Sequence, residues 1–167
     1  MNNVEINKNA RLSQHFTLGE LCKTSVKTAD GNIPSRVHIE NLKRLCGWLE
    51  KLRERYAFRG ERREEGGERY AEVPIIINSG YRSEAVNKAV GGAPTSNHLT
   101  GCAVDIRCYG IEQALRYAVI LLDISDESRE DFDELLLERS PRGTYWLHFA
   151  VRPPSQENRR KVAFLRA

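Results

Sequence analysis

The sequence lacks any apolar run long enough to cross a membrane, and residues 1–9 lack the apolar segment of a secretory signal. We therefore predict no membrane partner and leave the localisation open. Repeats and low-complexity segments are also missing, so we predict a single domain over residues 1–167. A domain of 167 residues is large enough to bury a core without disulfides or a structural metal.

Cysteine is scarce, and its spacing excludes the common zinc-binding motifs. Cys22, Cys46, Cys102 and Cys108 show none of the close pairings that such motifs require. We expect buried thiols that pack as small apolar side chains. The spacings leave the disulfide state open.

The sequence also lacks a large excess of acidic or of basic residues. The formal net charge of +3 and the pI of about 8.7 are only mildly basic, which hints at an anionic partner without identifying one. The densest charged run, 59–69, alternates in sign and is almost free of aromatic residues. We therefore predict no nucleic-acid partner and interpret residues 58–70 as a mobile loop inserted between a helix and a strand.

Hydrophobic periodicity predicts an α+β domain. Apolar residues at helical spacing indicate a long amphipathic helix over 35–56, which Pro34 and Ser35 suit as a start. A β-branched strand is predicted over 73–78, a short helix over 84–90 and a third helix over 111–122.

Two histidines and one aspartate form the strongest chemical signal. Asp105 lies in the short apolar run 102–107, which predicts a core strand, and His98 lies in the polar loop just before it. His148 belongs to a second predicted strand, 145–150. A carboxylate in an apolar strand is costly to bury without a cation or hydrogen-bond donors. If the strands are neighbours, the three side chains meet and form a set that holds catalytic zinc with one open position. His15 and His38 lack such surroundings, and we expect ordinary structural roles for them.

The wider pattern of motifs resembles a known family. The pattern consists of Ser79-Gly-Tyr-Arg-Ser83, Ser96-Asn-His98, Gly101, Asp105 and Trp146-Leu-His148. Together they resemble the zinc D-Ala-D-Ala carboxypeptidases and dipeptidases and the L-alanyl-D-glutamate endopeptidases of phage lysins, which share the Hedgehog/DD-peptidase fold. Segments 12–21 and 41–46 resemble the small single-domain bacterial and phage branch, so the resemblance runs from about residue 12 to about residue 151.

This resemblance implies a fold and a set of roles. The fold would be a small antiparallel sheet that carries the zinc site and packs with helices. His98, Asp105 and His148 would bind one Zn²⁺ per chain. Arg82 would polarise the scissile carbonyl or anchor a substrate carboxylate, with a surface salt bridge as its alternative. Ser96 would hydrogen-bond substrate near the metal, although a serine before a tight loop equally suits turn chemistry.

The chain departs from the family where a general base is expected. Many relatives carry an acid three residues before the last histidine or a second histidine two before it, and here those positions are Tyr145 and Trp146. Glu138 is our candidate for the base, because a hairpin between 132–138 and the His148 strand could bring it to the metal. We prefer it to Glu134 and Asp133, since the small branch carries a glutamate at this point. The alternative is a solvated carboxylate at a strand end.

The predicted function is a zinc metallopeptidase that hydrolyses an amide bond in peptidoglycan stem peptides. Either a D-Ala carboxypeptidase or an endolysin-type endopeptidase fits the residues. The alternative is a catalytically impaired zinc-binding or cell-wall-binding protein on the same fold. The expected partner is a peptidoglycan peptide, and the expected state is a monomer. It would act on the cell wall as a phage-type lysin, or after export by a signal that this sequence does not contain.

Overall fold

The structure is a computed structural model that describes residues 6–59 and 73–166. The predicted loop at 58–70 therefore lies outside the described residues from residue 60 onward, while residues 58 and 59 extend a helix. The helices are α1 (Leu18–Leu21), α2 (Arg36–Arg59), α3 (Glu84–Ala89) and α4 (Gly110–Ser128), with a 3₁₀ turn at Asn97–Thr100. The strands are β1 (Ile77–Ser79), β2 (Ala103–Cys108), β3 (Glu134–Arg139), β4 (Tyr145–Ala150) and β5 (Lys161–Arg166).

The five strands form one sheet in the order β1-β2-β4-β3-β5. Neighbouring strands are antiparallel except β3 and β5, which are parallel. The predicted α+β class with a small sheet packed against helices is thus confirmed; the sheet is mixed, because its edge strand β5 runs parallel to β3. Residues 151–160 lead the chain back to the start of β3, so that the next strand runs in the same direction as β3.

Alternation of side chains gives the sheet a closed face and an open face. The closed face carries six buried apolar side chains from the three central strands: Val104, Ile106, Leu135, Leu137, Leu147 and Phe149. Helices α2 and α4 pack over it. Phe149 lies 5.3 Å from the ring of Trp48 and 5.8 Å from that of Phe132. Burial of each such side chain contributes about 1.5–3 kcal/mol, so this face carries much of the stability.

The predicted helices are present, with shifted ends. Helix α2 begins after Ser35, whose hydroxyl accepts a hydrogen bond from the His38 N–H at 3.3 Å. Helix α4 runs six residues beyond its predicted end, because Ile124 and Ser125 continue the buried face between charged residues. The strand predicted over 73–78 is shorter and shifted, and forms at Ile77–Ser79. Within the described residues, no helix combines the length and apolar character that a bilayer crossing requires.

All four cysteines are free thiols in this fold, and three of them are buried. Burial raises the pKa of Cys46 and of Cys108 to about 12. These thiols are therefore protonated at neutral pH and pack as apolar groups, as the sequence predicted.

Candidate metal centre

A short turn delivers His98 to the start of β2. The Ser96 hydroxyl caps this turn by accepting a hydrogen bond from the His98 N–H at 3.3 Å. Gly101 ends it with a φ of 70°, and a side chain there would lie 2.7 Å from the carbonyl oxygen of His38. Only glycine tolerates both the left-handed backbone and the close approach, so Gly101 fixes how the chain turns into β2.

The loop after β1 fixes the orientation of the His98 ring. His98 is 2% exposed, and its Nδ1 lies 2.6 Å from the carbonyl oxygen of Gly80. Gly80 packs so closely on Leu21 that a Cβ would lie 2.2 Å from the Leu21 carbonyl oxygen. A ring that donates from Nδ1 to a backbone carbonyl presents its other nitrogen, Nε2, as an electron-pair donor.

Asp105 and His148 come from neighbouring strands and stand directly opposite each other. Their register in the β2–β4 pair places both side chains on the open face of the sheet. The Asp105 Oδ1 lies 3.2 Å from the His98 Nε2 and 3.0 Å from the His148 Nδ1. Burial opposes the charge on Asp105, but the two histidines hold the pKa of its carboxyl far below the usual range.

These three donors fit a metal ion. Their ligand atoms all lie within 4.8 Å of one another. Two donors bound at about 2.0 Å to a tetrahedral zinc stand roughly 3.3 Å apart, close to the 3.2 Å and 3.0 Å that separate the Asp105 Oδ1 from the two histidines. Two imidazoles and one carboxylate are also a donor set that catalytic zinc accepts. The residues present therefore fit the ion that the sequence predicts.

Arg82 lies beside this cluster and contacts its aspartate, Asp105. Its Nη2 donates to the Asp105 Oδ2 at 2.5 Å, and its Nε donates to the Ser79 hydroxyl at 2.8 Å. The side chain is 17% exposed, so this contact is not a surface salt bridge. A guanidinium has five N–H donors, so these two contacts leave others on the same fork for a substrate oxygen. Substrate binding by Arg82 stays a prediction.

Glu134 is the contact that the sequence analysis missed. Its Oε2 lies 3.1 Å from the His148 Nε2, on the side of the ring away from Asp105. Burial opposes the charge on His148, but hydrogen bonds to the two carboxylates outweigh it and raise its pKa to about 9. The hydrogen bond to His148 lowers the pKa of Glu134 to about 2. The sequence alone gives no signal for this contact, because it depends on the β3–β4 register that places Glu134 diagonally beside His148.

Glu138 flanks His148 on the other diagonal of β3. It pairs with Trp146 and points to the open face, near enough to Asp105 and Arg82 for their charges to affect it. Burial, reinforced by the charge of Asp105, raises the pKa of Glu138. Among residues 6–59 and 73–166, no hydrogen bond to its carboxylate is found. Glu138 is thus a half-buried carboxylate near the donors, and its role as a base stays a prediction.

The remaining candidates lie as follows. Ser96 serves as a turn cap, and its contact with substrate stays a prediction. His15 pairs with Glu50 at 2.7 Å, and His38 stacks on Tyr81 with ring centroids 4.8 Å apart. Neither histidine belongs to the three-donor cluster.

A comparison with protein families agrees with this geometry. A family model described as Peptidase M15 matches residues 63–125, less than half of the chain. The matched stretch includes Arg82, His98 and Asp105 and ends before His148. The match supports the M15 family of metallopeptidases without separating its carboxypeptidases from its endopeptidases. No curated protein matches the chain.

Proposed function

We propose that the protein is a zinc-dependent peptidase that hydrolyses an amide bond in peptidoglycan stem peptides. The observation that carries the proposal is the convergence of His98, Asp105 and His148 on one point of the open face. The similarity to the M15 metallopeptidases supports a peptidase activity. The peptidoglycan substrate and the choice of zinc rest on the resemblance of the motifs to the D-Ala-D-Ala peptidases and phage endopeptidases.

Zinc held by these donors would supply a water of lowered pKa and a Lewis acid for the substrate carbonyl. Glu138 takes the proton from the attacking water and passes it to the leaving amine. A carboxylate with a raised pKa suits this shuttle, because it must both accept and release a proton near neutral pH. Arg82 directs its N–H groups at the carbonyl oxygen or at a carboxylate of the substrate.

The sheet keeps these groups in fixed relative positions. Asp105, His148 and Glu138 lie on three adjacent strands, so their spacing depends on backbone hydrogen bonds rather than on a loop. Trp146 stands opposite Glu138 and lines the open face beside it. We propose that a bound peptide lies along this face, with its scissile amide between the three donors and Glu138.

The test is incubation of the zinc-loaded protein with purified sacculi and with defined muropeptides. We expect new free amines, or free D-Ala, that the zinc-free protein and a His148→Ala variant do not release. Product analysis by mass spectrometry identifies the bond and thereby separates a carboxypeptidase from an endopeptidase. Binding of sacculi without release of product would contradict the proposal and favour a wall-binding protein on the same fold.

A further inference from the structure

We propose that Glu134, held by Asn97 and Arg159, is a positioning residue that fixes the His148 ring and so sets the affinity of the metal centre. The inference rests on the proposed function only in taking the three donors as metal ligands. It assigns a role to the segment after β4, which lies beyond the motifs that point to a peptidase.

The His148 ring is held from both sides. Its Nδ1 faces the Asp105 Oδ1 at 3.0 Å, and its Nε2 faces the Glu134 Oε2 at 3.1 Å. The side chain of Glu134 is only 15% exposed, so water competes weakly for this contact. A ring that turned over, or swung out of the site, would lose both partners. Glu134 therefore restricts His148 to the orientation in which Nδ1 points at the other donors.

Three further side chains approach the Glu134 carboxylate, and two of them make the short contacts that anchor it. The Asn97 amide donates to its Oε2 at 3.1 Å, and Arg159 lies 3.0 Å from its Oε1. Asn97 directly precedes the donor His98, so this contact links the turn that carries His98 to the strand beside His148. With both oxygens engaged, Glu134 is poorly placed to shuttle protons. Glu138, on the other diagonal, makes no described hydrogen bond and stays available for that role.

A buried aspartate holds the anchors in place. Asp133 is fully buried. It accepts three hydrogen bonds from Arg159, which donates its backbone N–H at 3.1 Å, its Nε at 2.9 Å and its Nη2 at 2.7 Å. The Asn97 amide also donates to Asp133 at 2.8 Å, and Arg152 contacts it at 3.0 Å. The segment that carries Arg152 and Arg159 is thus fastened to the back of the metal centre. Its contribution is to keep Glu134 fixed.

The expected effect follows from the chemistry of metal-bound histidine. A carboxylate on the far nitrogen fixes the tautomer and the direction of the ring and raises its basicity, and removal of such a partner costs about 10–100-fold in metal affinity. We therefore expect Glu134→Ala to weaken Zn²⁺ binding by about that factor. Glu134→Gln keeps an oxygen that can accept the Nε2 proton, so it recovers part of the loss. Arg159→Ala leaves Glu134 in place with one of its anchors removed, and we expect a smaller loss.

The experiment measures the Zn²⁺ dissociation constant of each variant by competition with a chromophoric chelator. Glu112→Ala, which removes an exposed carboxylate paired with Arg116 on α4, is the matched control and should bind like the parent protein. Thermal unfolding of the metal-free variants shows whether each one folds. The Co²⁺ absorption spectrum reports whether the donor geometry has changed, independently of activity.

A second measurement needs no substitution. In the zinc-loaded parent protein, long-range proton–nitrogen correlation spectra should show that the His148 Nε2 carries the proton. A folded Glu134→Ala variant that binds Zn²⁺ within twofold of the parent would overturn the inference. So would an unprotonated Nε2. If the parent protein itself binds no Zn²⁺, the proposed function and this inference both fail, whereas either of the first two results removes only the inference.

Discussion

The two faces of the sheet are built by the same strands and do different work. On β4, Leu147 and Phe149 point into the helix-covered core, while Trp146 and His148 point to the open face. The closed face stabilises the fold through burial of apolar surface, and this contribution depends on the buried area and little on direction. The open face holds charged groups at fixed separations, which depends on hydrogen bonds and register. Replacing adjacent residues on one strand should therefore have different effects: loss of stability on the closed face, and loss of metal binding or activity on the open face.

The open face also carries buried charge, which the closed face avoids. Asp105 and His148 are each less than a tenth exposed, and each is paired with groups of opposite charge. Burial of charge is tolerated only where such partners are present. The charged side chains of the open face thus stabilise one another in groups, and removal of one of them leaves its partners buried without a counter-charge.

The sharpest test on the open face is Glu138→Gln. We expect turnover of the peptide substrate to fall by about 10²–10⁴-fold, because an amide cannot shuttle the proton. The zinc content and the free energy of unfolding of Glu138→Gln should stay close to those of the parent protein. The control Glu130→Gln, which changes an exposed carboxylate, should match the parent protein in turnover as well. Full turnover by a zinc-loaded Glu138→Gln protein would show that another group is the base.

On the closed face, Phe149→Ala should lower the free energy of unfolding by about 3–5 kcal/mol. The ring packs between Trp48 and Phe132 and has no exposed surface, so its removal leaves a cavity. Urea denaturation of the metal-free proteins measures the loss. A change below 1 kcal/mol, on the order of a surface substitution, would mean that this face does not carry the stability assigned to it.

Asp133 tests the link between charge and stability at the edge of the open face. Burial alone would raise the pKa of Asp133, but hydrogen bonds from Arg159 and Asn97 outweigh it and lower the pKa to about 2. A lowered pKa stabilises the fold above the unfolded pKa of about 4, and this stabilisation is lost as the pH falls toward 2. We expect Asp133→Asn to cost about 2 kcal/mol at pH 7. The denaturation curves of the two proteins should converge near pH 2–3, and a difference that is independent of pH would contradict this assignment.

Phe164→Ala is the control for Phe149→Ala and has the smallest expected effect. Phe164 points to the same side of the sheet, next to Leu137, but lies on the edge strand and is half exposed. We expect a loss of less than about 1 kcal/mol in the same denaturation measurement. A loss as large as that of Phe149→Ala would show that the edge of the sheet is as tightly packed as its centre.

The sequence predicts the site better than its surroundings. His98, Asp105 and His148 could be brought together from local pattern, because two strands with alternating side chains need only be neighbours. Glu134 and Arg159 could not, since their contacts depend on the register of β3 and on the parallel pairing of β5. Strand β5 itself was missed because its apolar residues stay largely exposed and give no clear alternation between a buried and a solvated face.

The central claim is that His98, Asp105 and His148 bind zinc, and metal content tests it most directly. We would measure zinc by inductively coupled plasma mass spectrometry on protein purified without chelator or nickel resin. We predict close to one zinc per chain, and its loss in a His148→Ala variant that still folds. A parent protein that carries no zinc and takes up none on titration would contradict the claim.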